Sequence, residues 1–143
     1  MSGYAYRGEF VNNYILLDKI KYRIIKIDGN GDIMVMPVKS KVAGVYDDRF
    51  DTATGTYSGF NKYNTSRVYE KLKEIYNELD EDSIIKQKGV TKNLCIGPRG
   101  DDDTTKNGSS ECKVVMKNQL YSLLPVYDIL NAISKFSKIF GNI

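Results

Sequence analysis

The sequence predicts a single α+β domain over residues 1–143: a twisted, mainly antiparallel sheet packed by two helices, at about 65–79 and 125–140. Three observations predict it. Residues 12–38 hold short β-type runs separated by turn clusters, residues 64–79 repeat their apolar side chains at helical spacing, and residues 126–140 do so again behind Pro125. The order strands, helix, strands, helix shows no internal repeat and no linker. At 143 residues such a chain is long enough to bury a core.

Taken in order, Asn12 to Leu17 forms the first strand candidate. Ile20 to Ile27 forms the second, with Ile20, Tyr22 and Ile24 on one face and Lys21 and Arg23 on the other. Asp28-Gly-Asn-Gly-Asp32 is a turn cluster, and Ile33 to Val38 completes a hairpin whose Pro37 marks a strand end or a sheet edge. Lys39 to Tyr63 sustains no period and reads as a long surface excursion. Asn64, Thr65 and Ser66 supply cap candidates for a helix whose apolar face is Val68, Leu72, Ile75, Tyr76 and Leu79. The acidic Asp80-Glu-Asp82 opposes the helix dipole and ends the element near Leu79. Ile84 to Lys88, Val90 to Ile96, Lys113 to Met116 and Gln119 to Leu124 read as extended. Pro125 then opens a last helix with the stripe Val126, Ile129, Leu130, Ile133, Phe136 and Phe140, stopped by Gly141.

Composition removes several chemistries. The chain has no histidine, so no imidazole serves as general base or zinc ligand, and Ser-His-Asp and Cys-His catalysis within one chain are excluded. The net charge of +3 is spread rather than massed, which leaves no electrostatic footprint for nucleic acid. Lys19, Lys21 and Arg23 beside Tyr22 are too few to alter that. Nothing in the chain spans a membrane, and the N-terminal residues lack a signal-peptide pattern, so an exported protein would have its leader or anchor elsewhere. Eleven tyrosines, five phenylalanines and no tryptophan suit half-buried strands and wet contact surfaces.

Cys95 and Cys112 bracket sixteen residues that are almost wholly polar and turn-forming. Packing cannot hold such a loop, so a disulfide at its base is expected, and with it an oxidising compartment. The other reading is a pair of free cytosolic thiols flanking a loop. Within the loop, Arg99-Gly100-Asp101 is the tripeptide that integrin ligands present on closed turns, although most occurrences of such a triplet arise by composition and have no adhesive role. Asp28-Gly-Asn-Gly-Asp32 starts like a calcium loop, but Ile33 and Lys39 stand where glycine and glutamate are required, so the hairpin turn accounts for it. Asp101, Asp102 and Asp103 with Asn107 and Glu111 could gather oxygen around a hard cation, but read rather as a solvated acidic loop. Asn64-Thr-Ser66 and Asn107-Gly-Ser109 match the glycosylation sequon and read as a helix cap and a turn.

Three groups of residues in this order carry a resemblance. They are Tyr6-Arg-Gly8, Asn12-Asn-Tyr-Ile15 and Tyr22-Arg-Ile-Ile25; then Asn64, Ser66, Val68, Leu72 and Tyr76; then Leu123-Leu124, Asp128-Ile129 and Ala132. The segment from Tyr6 to Ala132 resembles a poorly characterised module of exported and surface-anchored, sometimes pilin-like, proteins of Gram-positive bacteria. Its last part is distantly similar to C-type-lectin-like folds. Members often carry cysteines where Cys95 and Cys112 lie. Tyr22 stands where members have tryptophan, and members continue past the last motif, whereas this sequence ends eleven residues after Ala132, which implies a shortened version or a part of one.

The resemblance implies a non-enzymatic module at the cell surface or outside the cell, with a protein or glycan ligand and no cofactor or metal. Its expected working surfaces are the excursion, with Tyr46, Phe50, Tyr57, Phe60 and Tyr63 as contact aromatics, and the loop between the cysteines with Arg99, Gly100 and Asp101. Several of the five aromatics would equally serve to pin the excursion to a core. The alternatives are a carbohydrate-active enzyme using carboxylates such as Asp47, Asp48 and Asp51, and an intracellular regulatory or phage-type protein with free thiols.

Overall fold

A computed structural model describes residues 3–5, 12–39, 44–100 and 102–133, which run as four strands, two helices, two strands and a last helix. The fold is α+β. The described strands divide between two antiparallel sheets rather than one. By contacts the chain sorts into two compact units, residues 1–40 with 126–143, and residues 41–125.

The first unit contains β1 (Tyr4–Ala5), β2 (Tyr14–Leu17), β3 (Ile20–Ile27), β4 (Ile33–Pro37) and the helix α3 (Val126–Ile133). β3 is the central strand: β1 and β2 share one of its edges and β4 pairs along the other. The β2–β3 turn is made by Asp18 and Lys19, both with positive φ (49° and 64°). The β3–β4 turn is closed by the Asp28 carboxylate, which accepts the backbone N–H groups of Asn30 at 2.9 Å and Asp32 at 3.1 Å. That carboxylate is therefore used as a turn former. β4 ends at Pro37, as expected of a proline on an edge strand. The expected alternation is present only at the start of β3, where Tyr22 is buried and Lys21 exposed; from Arg23 to Ile27 every residue is half-buried. Register slips between Ile24 and Lys26, bending the strand. Beyond the slip, Lys26 Nζ pairs with Asp128 of α3 at 2.8 Å, which ties strand to helix across 102 residues of sequence. Phe136, Phe140 and the rest of the stripe expected after Ile133 lie outside the described residues.

The second unit is built on α1 (Arg67–Asn77). Ser66 is its N-cap: the side chain accepts the Tyr69 N–H at 3.3 Å and donates to the Tyr63 carbonyl at 2.8 Å. A cap of this type contributes about 1 kcal/mol. One face of α1 carries Val68, Leu72, Ile75 and Tyr76, as its spacing predicts, and Tyr69 joins them. Tyr63, Tyr69, Tyr121 and Tyr76, in that spatial order, form a ladder of rings with successive centroids 5.3, 6.3 and 5.1 Å apart. Such contacts add roughly 0.5–1.5 kcal/mol each beyond area burial. The phenol tips are also used, since Tyr69 donates to Gln119 Oε1 at 3.0 Å and Tyr63 accepts the Leu123 N–H at 3.1 Å.

Residues 84–88, read above as extended, are the short helix α2 (Ile84–Lys88). Ser83 explains the difference: its hydroxyl accepts the Ile85 N–H at 3.2 Å and starts a helical turn that a pair of β-branched residues had disguised. β5 (Lys92–Cys95) and β6 (Val115–Gln119) form the second sheet. The extended run expected over 119–124 stops at Gln119, where Asn118 takes a positive φ of 56° and disturbs the register.

Candidate functional site

Two surfaces of the second unit answer to the expected working loops. The first lies in the excursion, which is ordered from its base. Asp47 is buried, and its carboxylate receives Arg49 Nε at 2.9 Å and Nη2 at 2.6 Å. The same guanidinium also donates to the Thr65 carbonyl, next to the α1 cap. Gly59 closes the base from the other side. Its φ is +68°, and a Cβ there would lie 2.3 Å from the Asp47 carbonyl oxygen, so glycine is required on both counts. Above this base, Asp51 and Thr56 pair as a small antiparallel bridge, and Gly59 N–H donates to the Arg49 carbonyl at 3.0 Å. Residues 46–60 thus form a hairpin-like arm instead of an irregular excursion.

Phe50 and Tyr57 meet across the arm, edge to face with centroids 5.2 Å apart, and Tyr57 is 78% exposed. Thr54, Thr56 and Ser58 form a hydroxyl cluster, with Thr56 donating to Ser58 Oγ at 2.9 Å. Phe60 is exposed and takes the Arg49 guanidinium over its ring at 5.6 Å, and Tyr46 is also exposed. Tyr63 differs from the other four. It is 9% exposed, lies in the tyrosine ladder, and burial pushes its hydroxyl up to about 12. It pins the arm to α1 and is not a contact aromatic.

The second surface is the loop between the cysteines. Cys95, at the end of β5, and Cys112, in the short 3-10 turn before β6, are joined as a disulfide with Cα atoms 4.3 Å apart. Gly97 N–H donates to the Glu111 carbonyl at 2.6 Å, and a Cβ on Gly97 would lie 2.7 Å from that oxygen. Arg99 turns inward. Its Nη1 donates to Glu111 Oε1 at 2.6 Å, and its Nη2 to the carbonyls of Asp103 at 2.5 Å and Thr105 at 2.8 Å. The two side chains of this ion pair are 10% and 6% exposed. The arginine of the Arg99-Gly100-Asp101 triplet is therefore the interior of the loop rather than a projecting group. Gly100 is exposed, and Asp101 lies outside the described residues. Nor is the acidic run simply solvated: Asp103 accepts the Ser110 hydroxyl and the Thr105 N–H at 2.9 Å. Asn107 serves as a turn former, accepting the Ser109 N–H at 3.0 Å.

Asp47 and Asp103 share an electrostatic signature. Hydrogen bonds from the Arg49 side chain, then its backbone N–H and charge and the Phe60 N–H, draw the Asp47 carboxyl from 3.8 to about 2 against the effect of burial. The Ser110 hydroxyl, then Thr105 and the Arg99 charge, do the same for Asp103, also to about 2. A carboxyl depressed in the folded state stabilises the fold above its unfolded pKa, and that contribution is lost as pH falls through the folded value. The urea midpoint is therefore expected to hold steady down to about pH 4 and fall between about pH 4 and pH 2. Asp47→Asn and Asp103→Asn should each flatten that fall; a midpoint as steep in both variants as in the parent would show that other groups cause it.

A groove of about 370 Å³ beside α1 is lined by Val45, Arg67, Glu70, Lys71 and Glu74. Arg67 is paired with Asp48 at 2.7 Å and Lys71 with Glu74 at 2.8 Å. Among the described residues, no three or more Cys, Asp or Glu side chains gather in reach of one metal ion, and no helix is long and apolar enough to cross a membrane. Comparison with family models, with curated proteins and with solved structures finds no match to this chain.

Proposed function

We propose that the protein is a non-enzymatic binding module of the extracytoplasmic or cell-surface kind, allied to the exported and pilin-like proteins it resembles, and that it engages a protein or glycan ligand through the arm at residues 46–60. The observation that carries this reading is the exposed Phe50–Tyr57 pair on an arm whose base is locked. Rigid aromatic side chains offer large contact area at small entropic cost, and Ser, Gly and Asn beside them adapt to a partner's hydrogen bonds. Residues 52–61 (Thr-Ala-Thr-Gly-Thr-Tyr-Ser-Gly-Phe-Asn) have that composition and carry no charge. The lock formed by Asp47, Arg49 and Gly59 lowers the ordering cost of binding, as preorganisation does elsewhere. The disulfide supports an oxidising location, where such bonds persist. Arg99 is spent on Glu111, so the loop between the cysteines serves here as scaffold.

The test is retention of the labelled full chain on glycan and surface-protein arrays. Truncating a central aromatic of a contact surface costs about 2 kcal/mol, roughly thirtyfold in affinity. Phe50→Ala and Tyr57→Ala should each lose binding on that scale while the thermal unfolding midpoint stays with the parent's. Array binding undiminished in the double variant would rule out the arm.

A further inference from the structure

The first unit carries a second surface that the arm does not involve. In the sheet, Leu16 pairs with Lys21, and Val38 continues the ladder by donating its N–H to the Lys21 carbonyl at 3.0 Å. In the next row Tyr14 pairs with Arg23 and Arg23 with Met36. Residues directly opposite one another share a face of a sheet, so these six side chains form two rows across three strands. The face is open: Leu16 is 69% exposed, Val38 50%, and Tyr14 and Met36 both 40%. Its middle strand is cationic. Lys21 Nζ sits over the Tyr14 ring at 4.1 Å, and Arg23 stacks on the same ring at 4.9 Å and donates to its hydroxyl at 2.5 Å. Lys19 adds a third cation in the β2–β3 turn. Among the described residues no carboxylate forms an ion pair with any of the three cations.

We infer that this face docks on an anionic lipid surface. Lys19, Lys21 and Arg23 meet the headgroup phosphates, while Leu16, Tyr14, Met36 and Val38 enter the boundary beneath them. The arrangement decides against a protein partner. Protein interfaces place apolar residues at the centre and charge at the rim, whereas here cations hold the central strand and apolar side chains flank it. Cations held at headgroup level above apolar contacts, with an amphipathic tyrosine among them, are the pattern of interfacial binding. It differs from membrane spanning, and it engages the β2–β3 turn end of the face, because Lys26, which shares the face through its pairing with Met34, is taken by Asp128 of α3.

The experiment is flotation of the full oxidised chain with vesicles of phosphatidylcholine alone and of an equal mixture of phosphatidylcholine and phosphatidylglycerol. The chain should float with the mixed vesicles, stay behind with the neutral ones, and detach as salt is raised. Each cation removed should weaken partitioning about fivefold. Lys21→Gln reads this directly. Lys19→Asn reads it in a turn position that asparagine tolerates, so folding is preserved. Lys21→Arg should bind as the parent does, and Leu16→Ser should weaken binding without altering its salt dependence. Equal flotation with neutral vesicles, or unchanged flotation of the Lys19→Asn/Lys21→Gln double variant, would overturn the inference. Lipid-free self-association abolished by Leu16→Ser would also overturn it by making a second copy the occupant.

Discussion

Replacing Arg99 by leucine is expected to destabilise the fold by about 3–5 kcal/mol, the cost of breaking a buried ion pair from one side. Glu111 is 5% exposed, and its Oε2 has no hydrogen-bond partner among the described residues, so Arg99 is what compensates the carboxylate. Removing the guanidinium also leaves the part-buried Asp103 carbonyl without this donor. The charge, not the contact area, carries most of the effect. Arg99→Leu combined with Glu111→Leu should therefore recover much of the loss, since an apolar pair of similar volume often substitutes for a buried ion pair at little net cost. Urea unfolding of the two single variants and the double variant measures the coupling. A single-variant loss below about 0.5 kcal/mol, the size of an ordinary surface substitution, would mean the pair is exposed in solution.

Removing the disulfide should cost about 3 kcal/mol, the chain-entropy value for a closed loop of this length, whose ends are 17 residues apart. Cys95→Ala/Cys112→Ala and the reduced parent should agree within error. Cys112 is exposed, so reductant reaches the bond without prior unfolding. The cross-link and the ion pair also depend on each other. The 4.3 Å approach of the two Cα atoms holds Glu111, the neighbour of Cys112, where Arg99 can reach it. Arg99→Leu should thus cost clearly less in the reduced protein than in the oxidised one. Simple additivity would show that the ion pair forms without the cross-link, and identical urea midpoints for oxidised and reduced protein would show that the bond contributes nothing.

The elements legible in the sequence were those whose signals are local. The β2, β3 and β4 strands follow from alternation and from the Asp28–Asp32 turn, and α1 follows from a capping serine and one apolar face. What was not legible depended on which way a polar side chain turns. Arg99-Gly100-Asp101 has the same composition whether it is displayed or folded inward. The partner that decides it, Glu111, lies twelve residues away and stands out only as the neighbour of a cysteine. Tyr63 looked like the other aromatics of the excursion. Its spacing to Tyr69 and Tyr76 was the available sign that it belongs to the α1 ladder. The arm itself had a signal in Thr54-Gly55, a turn pair between Phe50 and Tyr57, with Gly55 at φ +68°. α2 is disguised in the sequence because Ile84 and Ile85 favour strand, and Ser83 becomes legible as a cap only once the helical turn after it is seen.

The pairing of Lys26 with Asp128 has a consequence for the order in which the chain acquires structure. The compact unit of residues 41–125 is interposed between the two segments of the other unit. During synthesis β2, β3 and β4 leave the ribosome early, yet the helix that supplies Asp128 follows only after the whole interposed unit. At about 5–20 residues per second, the 102 residues between Lys26 and Asp128 amount to several seconds. For that interval the nascent sheet waits without its helix, whereas the interposed unit carries its cap, ring ladder and both cysteines within residues 41–125 and is complete before that helix follows.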